Sequence, residues 1–460
     1  MRKNKLIIAG SFIVIIAIVF AGVYYHQSTH FNSHITINNT KVSGLTAEQA
    51  LKKLKSTVLK NDVYIGKDRI FDGTDTKMEF KSNDLASVEK LLKSQQTFWP
   101  SSKEKNLSLQ PGKVDLYRSQ TMEKLVEEKL LSMNKSLLAP KDAEARLEQG
   151  KIVVSKSVDG KQYNVTQLLK QYQKQEYTSE IHLKPEYIQP IKEDSPLIKK
   201  EENKLQELVQ RTVDYKVQDK VYRLQGSDVI QNATVTKDLK VTINPKEIQN
   251  QINDINDSQS TLNKDFKFKT HSGSVVSVKG ESYGWAINVT KEANRVQAAF
   301  EKGEKSLEAD HIYGSGWSTY GTGYNATTNN GIGSTYAEVS IKEQRIWLYK
   351  DGKLAFTTNV VTGRHNTNED TPPGVWYVMY KETPSVLEGT SVGHGNYSVT
   401  VQYWAPFTLS GCGFHDASWR SNWASNAYLT AGSGGCVNTP SSSMKTVYNT
   451  LSKNEPVVVY

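Results

Sequence analysis

The chain has only two cysteines among its 460 residues, Cys412 and Cys436, and the second occupies an unusual position. Cys436 lies within the stretch AGSGGCVNTP, residues 431–440, where glycines precede it. A structural cysteine usually packs in an apolar core, because its thiol behaves as a small hydrophobe. A cysteine in a glycine turn is more typical of a nucleophile, whose backbone must come close to a substrate.

The residues around Cys436 can support such a nucleophile. Gly434 and Gly435 offer backbone N–H groups to a developing oxyanion. A free thiol has a pKa of about 8.5, so a nearby imidazole or helix N-terminus is needed to favour the thiolate. We predict a helix directly after the cysteine, with Thr439 as its cap and Pro440 as its first residue.

A general base must come from the histidines of the same region, which are His365, His394 and His415. His415 lies in SGCGFHDASWR, at the end of a predicted strand, and Asp416 follows it as a candidate orienting carboxylate. A polar, aromatic segment between His415 and Cys436 can return the chain as a loop. We therefore favour His415 as the base and interpret the other two as surface histidines.

Three motifs occur in one order, TPPGVWYV, GCGFHDASW and SGGCVNTP. In this order they resemble the catalytic domain of the L,D-transpeptidases, the YkuD-like cysteine enzymes of peptidoglycan, over residues 334–460. The resemblance implies Cys436 as nucleophile and His415 as general base and acid. Ser433, Gly434, Gly435 and Asn438 occupy the positions that shape the turn and the oxyanion hole.

The resemblance also implies a reaction. The cysteine would attack the third residue of a tetrapeptide stem, release the terminal D-alanine and pass the acyl group to an amine of a second stem, forming a 3→3 cross-link. Acylation by carbapenems is a further property of the family. One position departs from the family pattern, because Gly434 stands where the family usually has histidine.

The amino-terminal residues predict a membrane anchor. Basic residues 1–5 precede an uncharged run at residues 6–25, which is long enough to cross a hydrocarbon core of about 30 Å. The positive-inside rule then places the rest of the chain outside the cell, with the C-terminal portion at the wall. A cleaved signal peptide is the alternative, although its apolar region is usually shorter.

The middle of the chain indicates α+β modules that resemble the peptidoglycan-binding regions of membrane-anchored Gram-positive relatives. The predicted parts are a first module at 26–187, a linker at 188–205, a second module at 206–312 and a Gly/Tyr-rich linker at 313–333. Segments from Gly150 and Gly273 form a weak repeat with the pattern G-x-x-x-N-V-T before a helix. Thr166 and Thr290 are the predicted caps of those helices.

The last domain, 334–460, predicts a mostly β fold. Asp351-Gly352 between RIWLYK and LAFTTNVVTG is a strong hairpin signal, and further strands are predicted in TPPGVWYVMY, VTVQYWAPFTL and the terminal VVVY. The predicted fold class is therefore multidomain, with an N-terminal transmembrane helix, α+β modules and a C-terminal mostly-β catalytic domain.

Other partners are disfavoured. The net charge of +9 is spread along the chain without a basic and aromatic cluster, so nucleic acid is not expected. No metal-ligand spacing appears and no cofactor is expected; the predicted partners are donor and acceptor stem peptides, wall glycan and the membrane.

Two alternative functions and two questions about individual residues stay open. An L,D-carboxypeptidase would use the same nucleophile with water as acceptor, and a non-catalytic wall-binding protein would use none. Cys412 is either a buried strand residue or a partner for a regulatory disulfide with Cys436, and four aromatic residues are cleft candidates or core: Trp404, Trp419, Trp423 and Tyr428.

Overall fold

The computed structural model describes residues 2–95, 97, 99–113, 115–175, 177, 180–392 and 395–460. The candidate His394 therefore lies outside the described residues. The chain divides into two units, one of residues 1–144 with 155–195 and the other of residues 145–154 with 196–460. The hairpin of residues 145–154 thus belongs to the second unit, although the sequence placed it inside the first module.

The first unit begins with a long helix, Arg2–Thr29. Within it, Gly10–Thr29 is the one helical stretch of the described residues that is long and apolar enough to cross a membrane, with a mean hydropathy of 1.6. Large apolar side chains such as Phe12, Ile13 and Ile18 are more than 60 % exposed, so the helix surface is apolar. A signal sequence would meet the same criteria of length and composition.

The rest of the first unit is a set of small sheets and short helices. Thr46, with Gln49 three residues later, predicts the start of a helix. The structure confirms this for the helix Ala47–Ser56, because Thr46 Oγ1 accepts from the N–H of Gln49 while Gln49 Oε1 accepts from the N–H of Thr46. The other α-helices are Leu85–Ser94, Glu123–Asn134 and Val165–Gln173. The strands are Ile35–Ile37, Thr40–Lys41, Val58–Leu59, Asp62–Ile65, Asp68–Asp72, Thr76–Lys77, Lys105–Leu107 and Ile181–Leu183.

The second unit starts with an α+β module. Its first helix, Pro196–Gln210, occupies the second half of the segment predicted as a linker at 188–205. The other helices are Gly226–Val229, Lys246–Gln259 and Val289–Lys302. The strands are Ala145–Glu148, Lys151–Val154, Thr212–Val217, Lys220–Gln225, Ala233–Val235, Val241–Ile243, Asp265–Lys269, Val275–Lys279, Ala286–Ile287, Ser306–Glu308 and Ile312–Tyr313.

The two N-V-T segments do start helices, but their predicted caps were wrong by two residues. The N-caps are Asn164 and Asn288, whose side-chain oxygens accept from the N–H groups of Gln167 and Lys291, each at 3.2 Å. Both asparagines have nearly the same backbone angles. Asparagine is at least as good a cap as threonine, so the helix begins at the earlier residue and Thr166 and Thr290 lie in the first turn.

The last domain, residues 334–460, is built on a five-stranded sheet. In spatial order its strands are Lys353–Asn359, Arg345–Lys350, Tyr336–Ser340, Pro456–Val459 and Gly374–Tyr377. The predicted hairpin is confirmed, because Asp351 and Gly352 both have positive φ at the turn between the first two of these strands. A separate hairpin consists of Ser385–Ser391 and Gly395–Val401.

A second, three-stranded sheet carries the candidate chemistry. The Trp404 strand (Trp404–Pro406) runs antiparallel to the His415 strand (Gly413–Asp416), which in turn runs parallel to the Asn438 strand (Val437–Thr439). Apolar side chains of this sheet, among them Ala405, Phe414 and Val437, share one buried core with the five-stranded sheet. The short helix Tyr428–Ala431 lies between the last two strands in sequence.

The helix predicted directly after Cys436 begins later than expected. The residues that follow the cysteine form the Asn438 strand, and the helix is Ser441–Thr450 with Pro440 at its N-cap. Thr439 pairs with Asp416 in the sheet instead of capping the helix. Cys436 therefore precedes a strand, and a helix N-terminus is not available to favour its thiolate.

Candidate active site

Strand register brings the candidate residues together. His415 is the direct pairing partner of Asn438 across the parallel strands and of Trp404 across the antiparallel ones. Cys436 immediately precedes the Asn438 strand, so the register places the cysteine level with Gly413, two residues before His415 on the adjacent parallel strand. Parallel neighbours need a long connection, and residues 417–436 supply it.

The glycine turn before Cys436 is fastened to a neighbouring segment by main-chain hydrogen bonds. Ser433 N donates to Thr362 O at 3.0 Å, and Arg364 N donates to Ser433 O at 2.9 Å. On the other side of the turn, Thr371 Oγ1 donates to Gly435 O at 2.8 Å. The turn is therefore held from both sides before any substrate arrives.

Gly435 is needed at its position for two reasons. Its φ of +113° lies in a region that residues with side chains rarely adopt, and a Cβ there would lie 2.8 Å from Cys412 Sγ. Cys412 itself is 7 % exposed and free, so the interpretation as a buried residue is confirmed. Its bulk packs against the turn, and burial raises the pKa of its thiol.

Cys436 is a free, partly buried cysteine whose sulfur contacts the start of the His415 strand. Its Sγ donates to the carbonyl of Gly411 at 3.5 Å. Burial raises the pKa of Cys436 to about 12, the neighbouring Cys412 adds to the rise, and a hydrogen bond from the Gly413 N–H works against it. Burial therefore favours the neutral thiol of Cys436 in the free protein.

His415 is almost completely buried, with 4 % of its surface exposed. Burial lowers its pKa, so the ring is neutral at pH 7 and is able to accept a proton. Its Nδ1 lies 2.9 Å from the main-chain oxygen of Asp416, which makes Nδ1 the protonated nitrogen. The ring stacks on Trp419 at a centroid distance of 5.8 Å and tilts against Trp404 at 5.9 Å.

The carboxylate of Asp416 does not orient His415, contrary to its prediction as an orienting group. Its Oδ1 accepts from Tyr403 N at 2.8 Å, and only its carbonyl reaches the histidine. The residue acts on the ring through its main chain because side chains alternate along a strand, so adjacent side chains point to opposite faces.

Asn438 contacts the second ring nitrogen of His415, Nε2. Its neighbours orient the amide so that Nδ2 donates to His415 Nε2 at 3.1 Å, while the amide oxygen accepts from Arg420 Nη2 and Nε, each at 3.1 Å. Arg420 also donates to Ala431 O at 2.7 Å. Sequence reasoning missed Arg420, because nothing in the spacing of residues 420 and 438 indicates that the loop returns its arginine to the strand.

The turn presents two open main-chain donors. Ser433 Oγ accepts from Gly435 N at 3.2 Å and donates to Cys436 O at 2.6 Å, so the serine stabilises the turn internally. Within the described part of the chain, no acceptor binds the N–H groups of Gly434 and Cys436. These two groups, and not that of Gly435, are free for an oxyanion.

A carboxylate beside Gly434 was also missed from the sequence. Glu369 Oε1 accepts from Ser391 Oγ at 2.8 Å and from Val392 N at 2.7 Å, at the tip of the separate hairpin. A Cβ at Gly434 would lie 3.5 Å from Ser391 Oγ and 3.8 Å from Glu369 Oε1. Position 434 therefore faces polar groups at ordinary contact distance.

The other sequence candidates are the histidine His365 and four aromatic residues. His365 is exposed and its Nδ1 contacts Asp370 Oδ1 at 3.0 Å. Trp404 is 5 % exposed and belongs to the core, whereas Trp419 is 52 % exposed and covers the histidine from the outside. Trp423 and Tyr428 are partly buried. Among the described residues, no group of three or more metal-ligating side chains occurs.

Comparisons with known proteins agree with this geometry. Residues 334–459 match the family model of the YkuD L,D-transpeptidase catalytic domain, and residues 197–308 match that of a candidate peptidoglycan binding domain. The solved catalytic domain of the Enterococcus faecium L,D-transpeptidase is 41 % identical over 27 % of this chain and 96 % of its own, with a TM-score of 0.26. The chain belongs to the L,D-transpeptidase family.

Two further structures extend the comparison. A mutant E. faecium L,D-transpeptidase is 29 % identical, covering 56 % of this chain and 98 % of its own, with a TM-score of 0.47. The E. faecium catalytic domain acylated by ertapenem is 41 % identical over 28 % of this chain and 97 % of its own, with a TM-score of 0.26. A search of curated proteins finds no match.

The match to the YkuD family model confirms the predicted enzyme class, a cysteine-nucleophile transpeptidase. It also confirms a multidomain chain with an apolar N-terminal helix, a mixed α/β middle and a β-rich catalytic domain. The two matched domains give this L,D-transpeptidase a role at peptidoglycan, outside the cell. The domain boundaries predicted from the sequence stay predictions.

Proposed function

We propose that this L,D-transpeptidase forms 3→3 cross-links in peptidoglycan, with Cys436 as nucleophile and His415 as general base and acid. One observation carries the proposal: a free cysteine on a clamped glycine turn precedes the strand that pairs with a buried, neutral histidine. That arrangement brings a nucleophile, a proton acceptor and open N–H donors together on neighbouring segments of one sheet.

In the first half-reaction, Cys436 Sγ attacks the carbonyl carbon of the third residue of a tetrapeptide stem. Because the thiol is protonated at neutral pH, its proton must pass to His415 Nε2 as the sulfur–carbon bond forms. This transfer requires Asn438 Nδ2 to release Nε2 when substrate binds; contacts of this kind tighten or rearrange in the substrate complex. The N–H groups of Cys436 and Gly434 would stabilise the oxyanion.

Collapse of the tetrahedral intermediate breaks the bond to the terminal D-alanine, whose amine takes the proton from His415. The amine of an acceptor stem then attacks the thioester and gives its proton to Nε2. The bond between Cys436 Sγ and the acyl carbon then breaks, and Sγ takes that proton back from His415 Nε2, which completes the cycle. Between these transfers the amide of Asn438 positions the ring by contacting Nε2, and Arg420 holds that amide in place.

The exposed apolar helix supports anchoring in the plasma membrane through residues 6–25, with the basic end inside. Residues after this helix would then lie outside the cell and reach the wall, where both donor and acceptor stems occur. Since ertapenem acylates the E. faecium catalytic domain, which is 41 % identical to this one, we expect a carbapenem to acylate Cys436.

Mass spectrometry of reaction products tests the proposal. The full chain, solubilised in detergent with a reductant, is incubated with disaccharide-tetrapeptides that carry a free side-chain amine. The expected product is a cross-linked dimer that has lost one D-alanine. Cys436→Ala should form none, whereas Cys412→Ala, the matched change of the other cysteine, should retain most of the activity.

The other outcomes are equally informative. Release of D-alanine without dimer would show an L,D-carboxypeptidase that uses the same nucleophile. Unchanged substrate with every stem type would contradict the proposal and favour a wall-binding protein. Equal activity in the Cys436→Ala variant would contradict the role of Cys436 as the nucleophile.

A further inference from the structure

A cavity lies in the second unit, away from the residues of the candidate active site. Its volume is about 520 Å³, within the range of about 300–1,000 Å³ that is typical of small-molecule sites. Residues 318–335 form most of its wall, and Tyr283, Asn454 and Pro456 complete it. Most of this wall falls between the stretches that match the two family models, which end at 308 and start at 334.

The wall of the cavity is held in place by specific contacts. Tyr283 is 1 % exposed and its Oη donates to Gly331 O at 2.9 Å. Gly323 has a φ of +84°, and a Cβ there would collide with Tyr283 Oη, so the loop can pass the tyrosine only at a glycine. Thr322 Oγ1 accepts from Gly284 N at 3.3 Å, which fastens the loop to the module.

Tyr324 is fixed in the same way. Its Oη accepts from Gln218 N at 3.1 Å, its carbonyl accepts from the Gln218 side chain, and its ring meets Trp285 edge-on at 4.9 Å. The segment from 313 to 333 was predicted as a linker or flap. The structure instead gives it a fixed course with internal main-chain hydrogen bonds, such as Gly333 N to Thr328 O at 3.0 Å.

The chemistry of the lining is uniform. Every described side chain that lines the cavity is uncharged, and most carry a hydroxyl, an amide or an aromatic ring. The side chains of Asn325, Thr327 and Thr328 are exposed, and none of the described residues hydrogen-bonds them. Tyr320 is 82 % exposed, so its ring offers a flat face beside these free polar groups.

We propose that this cavity binds a neutral saccharide, in particular the N-acetylated glycan of the wall. A sugar ring has an apolar C–H face that packs on an aromatic ring and hydroxyl edges that need donors and acceptors, and Tyr320 with Asn325, Thr327 and Thr328 offers both. A stem peptide carries a carboxylate or an ammonium group, which a lining without charged side chains does not compensate. The site is independent of the transpeptidation chemistry.

Calorimetric titration of the full chain in detergent with N-acetylglucosamine tetramer tests the site. We expect Tyr320→Ala and Asn325→Ala each to weaken binding about tenfold or more, since each removes a partner of the bound sugar. Tyr313→Ala is the matched control, because Tyr313 is also exposed but does not line the cavity. Titration with a glucose tetramer, which lacks the acetamido groups, shows whether the cavity recognises those groups.

Binding of either tetramer that weakens in the two cavity variants and not in Tyr313→Ala supports the site, and the preferred tetramer identifies the source polymer. Absence of binding by the unmodified protein, or equal binding by all variants, overturns it. These outcomes are separate from the fate of the catalytic proposal. A transpeptidase that lacks this site would still convert stems, whereas a protein without transpeptidase activity would still bind the tetramer.

Discussion

Two buried polar clusters of the second unit differ in how completely their groups are paired. In the module, Glu292 is fully buried and accepts from Tyr215 Oη at 2.9 Å, from Arg295 Nη1 at 2.8 Å and from the main-chain N of His311 at 3.1 Å. In the catalytic domain, the Cys436 turn leaves two N–H groups without a partner among the described residues.

The difference separates a cluster that stabilises from one that reacts. Burial works to raise the pKa of Glu292, but hydrogen bonds from Arg295, His311 and Tyr215 outweigh it and hold the pKa below its usual value. At Cys436 the hydrogen bond from the Gly413 N–H does not outweigh burial, and the pKa rises to about 12. Unpaired hydrogen-bond donors and a buried thiol with a raised pKa lower the stability of a folded protein. Such groups persist at sites where a bound substrate supplies the missing partners.

The largest effect is expected from substituting the histidine of each cluster in turn. His415→Gln should lower kcat/KM about 10²- to 10⁴-fold, because it removes the proton acceptor. His311→Gln, the matched change in the module, should leave kcat/KM within about twofold. Steady-state rates of D-alanine release measure both, and equal losses would remove the distinction between the clusters.

Glu292→Gln should give the reverse result. Loss of the buried carboxylate leaves its donors poorly paired and should lower the free energy of unfolding by about 3 kcal/mol, with activity per folded molecule unchanged. Glu304→Gln, at an exposed ion pair with Lys302, should cost less than about 0.5 kcal/mol. Urea denaturation measures both, and similar values would contradict the structural role.

The effect of Glu292→Gln should depend on pH in one direction. A depressed carboxyl pKa contributes stability above the unfolded value of about 4.3, and that contribution is lost as pH falls through the folded value. The stability gap between the variant and the parent should therefore shrink below about pH 4.

Alkylation of Cys436 should report its raised pKa. With Cys412→Ala removing the second thiol, the rate with iodoacetamide should rise about tenfold per pH unit from pH 7 to about 10, because the thiolate fraction is still small there. A rate that levels off near pH 8 would show an ordinary or activated thiol.

The smallest effect is expected at Gly434. A Cβ there would lie at ordinary contact distance, 3.4 Å from Ser391 Cβ and 3.5 Å from Ser391 Oγ. We therefore expect Gly434→His to fold and to change kcat/KM by less than about threefold. Gly435→Ala is the contrast, because its positive φ and the contact with Cys412 Sγ oppose any side chain. Folding and kcat/KM of both variants measure this contrast. Equal values would contradict the inference that a side chain has room at position 434 and not at position 435.

Local signals in the sequence predicted much of this fold. The Asp351-Gly352 turn, the Thr46 capping box and the terminal strand are each encoded by adjacent residues, and the structure confirms them. The start of the last helix was not predictable in this way, because Thr439 is used by pairing with Asp416, a contact between distant residues.

The candidate site was predictable in residue type but not in detail. Glycines and a cysteine in one turn indicated the nucleophile. The contacts of Arg420 with Asn438 and of Glu369 with Ser391 depend on how loops fold back, which neither periodicity nor spacing reports. The raised pKa of Cys436 likewise follows from burial, which a glycine-rich turn does not suggest from sequence alone.

The parallel pairing of the His415 and Asn438 strands separates the placement of the site from the length of the loop that joins them. The register of Phe414 with Val437 and of His415 with Asn438 fixes the geometry, whereas residues 424–426 in the connecting loop are exposed. This loop can therefore vary in length between related chains, and it is a suitable place to insert a fluorescent label or an affinity tag.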